Sequence, residues 1–144
     1  MTNEVLKAIE ARRSCRSYEE NQISAEELSA VTNAGTWAPT AKGLQSPKMV
    51  VVQETMAKLE RMNAVVLGNP DAHPFYGAPT AVVVFADTQV PTYMQDGSLV
   101  LGTMLLAASS IGLGSCWINR AKESFQTEEG KALMRKWGLA DTYE

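Results

Sequence analysis

The chain has 144 residues, of which 45% are hydrophobic and 20% charged, and its formal net charge is -3. This length predicts one domain with enough apolar content for a core, and the composition excludes an intrinsically disordered chain. The slight acidic excess argues against a protein that coats nucleic acid, because such a protein needs positive charge to neutralise phosphates.

Two helices are predicted before the first strand. Apolar residues at helical spacing predict a helix over 3–12. A second helix is predicted over 24–35, because Ser24 and Glu27 have the spacing of a capping box at its start. The prolines and the glycine of the segment 37–47 predict a loop after it.

Short apolar runs alternate with helical patterns in the rest of the chain. The predicted strands are 49–52, 80–86 and 114–119, and the predicted helices are 55–66, 96–111 and 127–138. The helix over 96–111 is apolar all round, so we expect it to be central and covered on most sides. This order predicts a sheet sandwiched between helices. Three strands are few for such a sheet, so either a strand is missing from this chain or a partner supplies one.

The rarest side chains exclude several kinds of site. His73 is the single histidine, and no short His or Cys spacing of a zinc site exists. We expect His73 to be an exposed loop residue. Because Cys15 and Cys116 lie far apart in sequence, we expect two free thiols in a reducing compartment. No signal-peptide core is visible, and glycines break the long uncharged stretch after Asp96, so we expect a cytoplasmic protein without a membrane span.

Three arginines lie within five positions at the end of the first predicted helix, in Arg12-Arg13-Ser14-Cys15-Arg16. One cation is enough to complement a helix dipole, and three repel one another unless an anion neutralises them. Arginine forks match phosphate oxygens in a bidentate manner. An anion site and a solvated patch remain equal alternatives at this point, and the acidic remainder of the chain disfavours nucleic acid as the anion.

Two further segments carry polar or glycine-rich patterns. The loop 38–47 combines small residues, a rigid proline, and amide and hydroxyl groups. It could lie flat against a planar ring, although an ordinary connection explains it as well. The segment 112–119 begins like a dinucleotide-binding G-x-G-x-x-G, but Trp117 replaces the third glycine and a helix precedes it, which excludes a Rossmann motif.

Together, the three segments resemble the nitroreductase family of FMN-dependent oxidoreductases, in particular its compact short-chain branch. The matching motifs are A-I-E-A-R-R-S-C-R-S-Y, A-P-T-A-K-G-L-Q-S-P-K and L-L-A-A-S-S-I-G-L-G-S-C-W-I. The resemblance implies one domain over 1–144 with an α+β fold, a three-layer sandwich of a mixed β-sheet flanked by helices. It also implies an intertwined homodimer with FMN at the interface. The family normally continues by a strand and an arm that brings a cation to the FMN phosphate, and these are absent from this sequence.

The resemblance implies three groups of cofactor-binding residues by motif position. The FMN phosphate and ribityl edge would be held by Arg12, Arg13, Ser14 and Arg16. The ring would be packed from the partner subunit by Pro39, Thr40, Ala41, Gly43 and Gln45. The remaining contacts would come from Gly114, Trp117, Ile118 and Asn119, near flavin N5 and O4, and from Asn63 at the pyrimidine edge. Many relatives carry Asn in place of Gly43, so a side-chain contact is lost there or replaced by backbone.

The implied activity passes electrons from NAD(P)H via flavin N5 to a small acceptor such as a nitroaromatic, quinone or activated alkene, in ping-pong order. No catalytic acid or base and no metal are expected, which agrees with the shortage of histidine. The alternative is a flavin-binding sensor or carrier without reductase turnover, favoured by the missing arm and by Gly43. A nucleic-acid module rests on the arginines alone and lacks interleaved aromatic residues.

Overall fold

A computed structural model describes all 144 residues. Its helices are α1 (Glu4–Ala11), α2 (Ala25–Thr36), α3 (Met56–Val66), α4 (Tyr93–Ser110), α5 (Lys122–Phe125) and α6 (Glu128–Lys136), its strands are β1 (Lys48–Val52) and β2 (Ala81–Phe85), and single 3-10 turns span Ala41–Gly43 and Asn119–Ala121. The five predicted helices and the first two predicted strands are confirmed with small shifts at their ends. The four-residue α5 was not predicted, since it is too short to show a period.

Local capping explains where the helices begin. The side chain of Asn3 accepts a hydrogen bond from the Leu6 N–H at 2.9 Å. Ser24 and Glu27 form both halves of the predicted capping box. Thr127 accepts from the Gly130 N–H at 3.1 Å and starts α6. Each cap satisfies an N–H group that has no partner inside its helix.

The antiparallel pair β1–β2 separates two hydrophobic cores, because alternate residues of a strand point to opposite faces. One face packs on the larger core, whose buried residues are Val52, Leu59, Met62, Phe75, Phe85, Phe125, Leu133, Met134 and Leu139. The other face packs on the smaller core, whose buried residues are Val31, Ala38, Val100, Met104 and Ala108. The result is a sheet layer between two helical layers, as predicted.

The predicted strand over 114–119 is wrong. This segment makes one isolated parallel bridge, between Ser14 and Ser115, and then enters the 3-10 turn. A strand needs a hydrogen-bonded neighbour along its length, and here a groove of about 480 Å³ separates the segment from β2. The outer edge of β2 is accordingly open, and the backbone groups of Val82 and Val84 make no hydrogen bond on that side.

The last residues of the chain pair with the same edge just beyond β2. The N–H of Ala86 donates to the Glu144 carbonyl at 2.9 Å, and the N–H of Glu144 donates back at 3.1 Å. The N–H of Thr88 donates to the Thr142 carbonyl at 2.8 Å. These bonds form one more isolated antiparallel bridge and not a third strand.

The expected covering of α4 on most sides is confirmed, although one strip along the helix stays open in a single chain. One side of α4 is buried against α2 and β2, but Leu99 on another side is 46% exposed. The apolar stripe of α1 is also uncovered, with Val5 60% and Ile9 53% exposed. Although α4 is the longest helix, no helix combines the length and apolar composition that a membrane span requires. The structure therefore leaves an apolar surface on α1 and α4 without a partner in the same chain.

Candidate functional site

The arginine-rich segment 12–16 leaves α1 in an extended conformation. The guanidinium group of Arg13 donates to the carbonyl oxygens of Glu10 at 2.6 Å and Arg12 at 2.8 Å, so Arg13 caps the end of α1. Arg12 and Arg16 form no ion pair with any carboxylate. Because Arg13 already caps α1, Arg12 and Arg16 remain available for an external anion. This favours the anion-site alternative over simple capping.

The segment 114–119 lies beside these arginines. The N–H of Cys15 donates to the Ser115 carbonyl at 3.0 Å and joins the two segments. Because backbone groups alternate in direction along an extended segment, those of Trp117 point to the same side as the Ser115 carbonyl. The Trp117 N–H makes no hydrogen bond within the chain, and its indole is 42% exposed. A free donor therefore faces the side on which the arginines lie.

The other predicted residues of this segment have different surroundings. A Cβ on Gly114 would lie 2.9 Å from the Cys15 Sγ, so a side chain at this position would force Cys15 to shift. Ile118 packs against the larger core, and Asn119 is exposed at the start of the 3-10 turn. Gly114 and Ile118 thus position the segment, while Trp117 and Asn119 are accessible.

Three residues of the loop 38–47 have a left-handed backbone conformation, which residues other than glycine rarely adopt. Lys42 has a φ of 54°, Gly43 of 65° and Gln45 of 49°. Left-handed conformations of non-glycine residues cost about 1–2 kcal/mol each, and such strain clusters at functional sites. The loop holds this shape through its own side chains, since the Gln45 N–H donates to the Thr40 Oγ1 at 2.9 Å and the Gln45 Nε2 to the Ala38 carbonyl at 3.3 Å.

Sequence reasoning missed the residue that anchors this loop to the fold. Asp96 is 3% exposed in the first turn of α4, and its Oδ1 accepts from the Ala41 N–H at 3.1 Å. Its Oδ2 accepts from the Thr92 Oγ1 at 3.2 Å. One signal was present in the sequence, namely an acid at the start of an apolar helix. Its partner lies 55 residues earlier in the chain, and no local pattern indicates that contact.

Asn63 lies apart from the other predicted site residues. It is fully buried, and its Nδ2 donates to the Arg120 carbonyl at 2.9 Å and to the Ser124 Oγ at 3.0 Å. The side chain therefore ties α3 to α5, and it presents no accessible group to a ligand. Its Oδ1 has no hydrogen-bond partner, and the role of Asn63 at the pyrimidine edge stays a prediction. The prediction for His73 is confirmed, because it is exposed and its Nδ1 lies 3.4 Å from the Glu60 Oε1.

Tyr18 packs beside the contact between the two segments. Its hydroxyl donates to the Cys15 carbonyl at 2.7 Å. Burial, and to a smaller extent the neighbouring Cys116 and Cys15, raises the pKa of Tyr18 to about 12. Tyr18 is consequently neutral at physiological pH. Both cysteines are free and half-buried, so the predicted free thiols are confirmed.

The structure thus gathers the predicted residues into two groups. The first joins segment 12–16 to segment 114–119. The second is the strained loop 38–47, held by Asp96 and by the Tyr143 hydroxyl, which donates to the Ser46 carbonyl at 3.2 Å. No hydrogen bond or ion pair connects the two groups within one chain. The first group offers cations and a free N–H, and the second offers a small, flat, preformed surface.

The sequence is similar to a described protein family and to two named proteins. Residues 9–75 match the family model described as Nitroreductase family. A protein of Archaeoglobus fulgidus, named as a candidate NADH dehydrogenase/NAD(P)H nitroreductase, is 33% identical over 143 residues, covering 96% of this chain and 78% of that protein. A protein of the same name from Methanothermobacter thermautotrophicus is 32% identical over 123 residues, covering 79% of this chain. The match covers 60% of the length of the Methanothermobacter protein.

Structural comparison identifies the same fold. A nitroreductase from Bacteroides fragilis with bound FMN superposes with a TM-score of 0.89 at 31% identity, covering 99% of this chain and 84% of that chain. A nitroreductase from Desulfitobacterium hafniense, also with bound FMN, superposes with a TM-score of 0.89 at 28% identity, covering 100% of this chain and 85% of that chain. The predicted α+β fold is confirmed by these superpositions.

Proposed function

Because this chain belongs to the nitroreductase family, we propose that it is an FMN-dependent oxidoreductase that takes its electrons from NAD(P)H. One observation carries the proposal. Arg12 and Arg16, which have no carboxylate partner, lie next to an extended segment in which the Trp117 N–H has no acceptor. The FMN in the two superposed nitroreductases and the names of the two sequence relatives support the same activity.

The chemistry of the first group fits a flavin mononucleotide. Guanidinium forks bind phosphate oxygens, and a free backbone N–H can donate to a polar ring edge. We assign the phosphate and ribityl chain to Arg12, Arg13, Ser14 and Arg16, and the ring edge to the segment of Gly114, Trp117, Ile118 and Asn119. Arg13 retains donors beyond the Nη1 that caps α1, since a guanidinium group carries five.

The second group would come from a second copy of the chain. We assign the packing of the ring to Pro39, Thr40, Ala41, Gly43 and Gln45 of the other subunit. Two observations support a homodimer. The two groups do not meet in one chain, and several large apolar side chains are exposed, among them Trp37 at 80%, Val5 and Leu99. An uncovered apolar surface, such as the one on α1 and α4, is typical of a protein interface.

When bound, FMN supplies the two-electron redox chemistry that links NAD(P)H to a small acceptor such as a nitroaromatic, quinone or activated alkene in ping-pong order. The residues of this chain bind and orient the cofactor. The guanidinium groups neutralise its phosphate, and N–H donors at the ring edge would stabilise negative charge that develops there. The strained loop is preformed, so little ordering would be needed on binding.

The first test is a fluorescence titration of the protein with FMN. Arg12→Ala and Arg16→Ala should each raise the FMN Kd about 10-fold to 100-fold, because each removes a charged hydrogen bond of about 1.5–3 kcal/mol. Arg135→Ala is the matched control, since Arg135 is an exposed arginine of α6 that makes no ion pair. An Arg16→Ala protein that binds FMN like the control would contradict the assignment.

A second test separates turnover from binding alone. NADPH and then NADH are added anaerobically to the FMN-loaded protein, and the visible flavin bands are followed. Bleaching is expected for a reductase, whereas unchanged bands would support the sensor or carrier alternative. The molecular mass in solution completes the test, because a monomer that retains FMN would contradict a site built from two subunits.

A further inference from the structure

Cys15 and Cys116 are distant in sequence and adjacent in the structure. Each follows one partner of the isolated parallel bridge between Ser14 and Ser115. We propose that these two cysteines form a redox modification site. A small disulfide such as oxidised glutathione would oxidise them to an intramolecular disulfide. The proposal goes beyond the reductase activity and does not depend on FMN.

The register of the bridge places the two cysteines opposite each other. In a parallel pair of segments, the next residue of one segment lies opposite the next residue of the other. The pairing of Ser14 with Ser115 is therefore followed by that of Cys15 with Cys116. The hydrogen bond from the Cys15 N–H to the Ser115 carbonyl, at 3.0 Å, confirms this register at the first of the two cysteines. Partnered residues also point their side chains to the same face.

Packing around Gly114 shows which face that is. The Cys15 Sγ lies 2.9 Å from the position that a Gly114 Cβ would occupy, and Gly114 is two residues before Cys116. Residues two apart in an extended segment share a face, so Cys116 points to the side on which the Cys15 thiol lies. The Tyr18 ring lies 3.8 Å from the same Gly114 position and borders this face. The three side chains therefore form one cluster.

The distance between the two segments suits a disulfide once the two thiols rotate toward each other. Paired strands lie about 4.8 Å apart, inside the Cα separation of about 4.4–6.8 Å that disulfides require. The Cys15 thiol now donates to the Ser17 carbonyl at 3.0 Å, and the Cys116 thiol lies 3.7 Å from the Trp117 carbonyl. A rotation about χ1 releases each thiol from this weak contact. A single bridge, unlike a long ladder, leaves both segments free to move closer.

The chemistry balances as two thiol–disulfide exchanges. One cysteine thiolate attacks a sulfur of oxidised glutathione, and one glutathione leaves as its thiol. The second cysteine thiolate then attacks the mixed disulfide, and the second glutathione leaves. The protein loses two protons and two electrons, and oxidised glutathione gains both. Both thiols are half-buried, so a small disulfide can reach them while the reacting sulfurs remain close together.

The disulfide would join two segments that the proposed site uses. It would fix segment 12–16 against segment 114–119, where the fold now has one isolated bridge. It would also close a loop of about 100 residues, for which chain entropy predicts a large stabilisation. At the chain-entropy value, oxidation is therefore expected to raise the Tm of the protein by about 15–20 °C.

The test treats the full chain with oxidised glutathione and measures its intact mass and its free thiols. The expected product has lost the mass of two hydrogen atoms, carries no glutathione and has no free thiol. A peptide map without reductant should show one fragment that links Cys15 to Cys116, and dithiothreitol should restore both thiols.

Two variants make the result specific. Cys15→Ser and Cys116→Ser should each retain one glutathione as a stable mixed disulfide, because no second thiol can displace it. Their Tm values should not rise on oxidation. A wild-type protein that retains two glutathiones, or that links its cysteines only between chains, would overturn the proposal.

Discussion

Replacement of Asp96 tests whether the strained loop depends on its single buried anchor. In Asp96→Ala, the Ala41 N–H loses its acceptor, and the site is too buried for water to replace it freely. A hydrogen bond to a charged group contributes about 1.5–3 kcal/mol, so the free energy of unfolding should fall by that amount. For a domain of this size, the Tm should fall by about 6–12 °C.

The same substitution should weaken FMN binding, because the loop would have to be ordered again when the cofactor binds. If about half of the lost energy has to be supplied on binding, the Kd rises about 3-fold to 10-fold. The assays are urea denaturation of the FMN-free protein and fluorescence titration with FMN. They separate a general loss of stability from a loss of loop order.

Asp96→Asn is the matched control for this prediction. The amide retains an oxygen toward Ala41, and the Thr92 hydroxyl can accept from its NH₂ group. Stability and FMN affinity should both stay close to those of the wild type. Equal behaviour of Asp96→Ala and Asp96→Asn in both assays would refute the anchoring role.

Three further predictions concern packing and ionisation. Gly130→Ala should destabilise the protein by at least about 2 kcal/mol in urea denaturation, because the added Cβ would collide with the Ser124 carbonyl oxygen; wild-type stability would contradict the packing of α6 on α5. The hydrogen bond from Lys122 holds the pKa of Glu144 below its usual range, so this carboxylate stabilises the fold fully above about pH 4.5 and loses that effect as the pH falls through the lowered value. The difference in stability between wild type and Glu144→Gln should therefore shrink in acid, and a difference that persists at low pH would exclude this linkage. In spectrophotometric titration, Tyr18→Phe should lose the most alkaline phenolate step, near pH 12, and an unchanged titration curve would show that another tyrosine is responsible.

Much of the secondary structure follows from the sequence because its causes are local. The Ser24–Glu27 capping box acts within four residues, and it starts α2 as predicted. The valine runs of β1 and β2 have enough apolar and β-branched character to identify both strands. The motif segments that carry the family resemblance are also contiguous, so the order of residues alone is enough to identify them.

The errors arise where the outcome depends on a distant part of the chain. The segment 114–119 has the composition of a buried strand, but it has no neighbour to pair with along its length. The apolar pattern of α4 indicates burial but not which surface covers it, and in one chain Leu99 remains exposed. The burial of Asn63 against Ser124 likewise depends on a distant residue, and its motif position did not indicate this contact.

The sequence by itself therefore determined the helices, two strands and the motif segments, since each depends on contacts within a few residues. The tertiary structure alone decided that Asp96 holds the loop through Ala41, that Ser14 pairs with Ser115, and that the motif residues separate into two groups. The physical reason is that strand pairing and side-chain contact require surfaces brought together from far along the chain. Composition and period describe each surface, but they do not specify its partner.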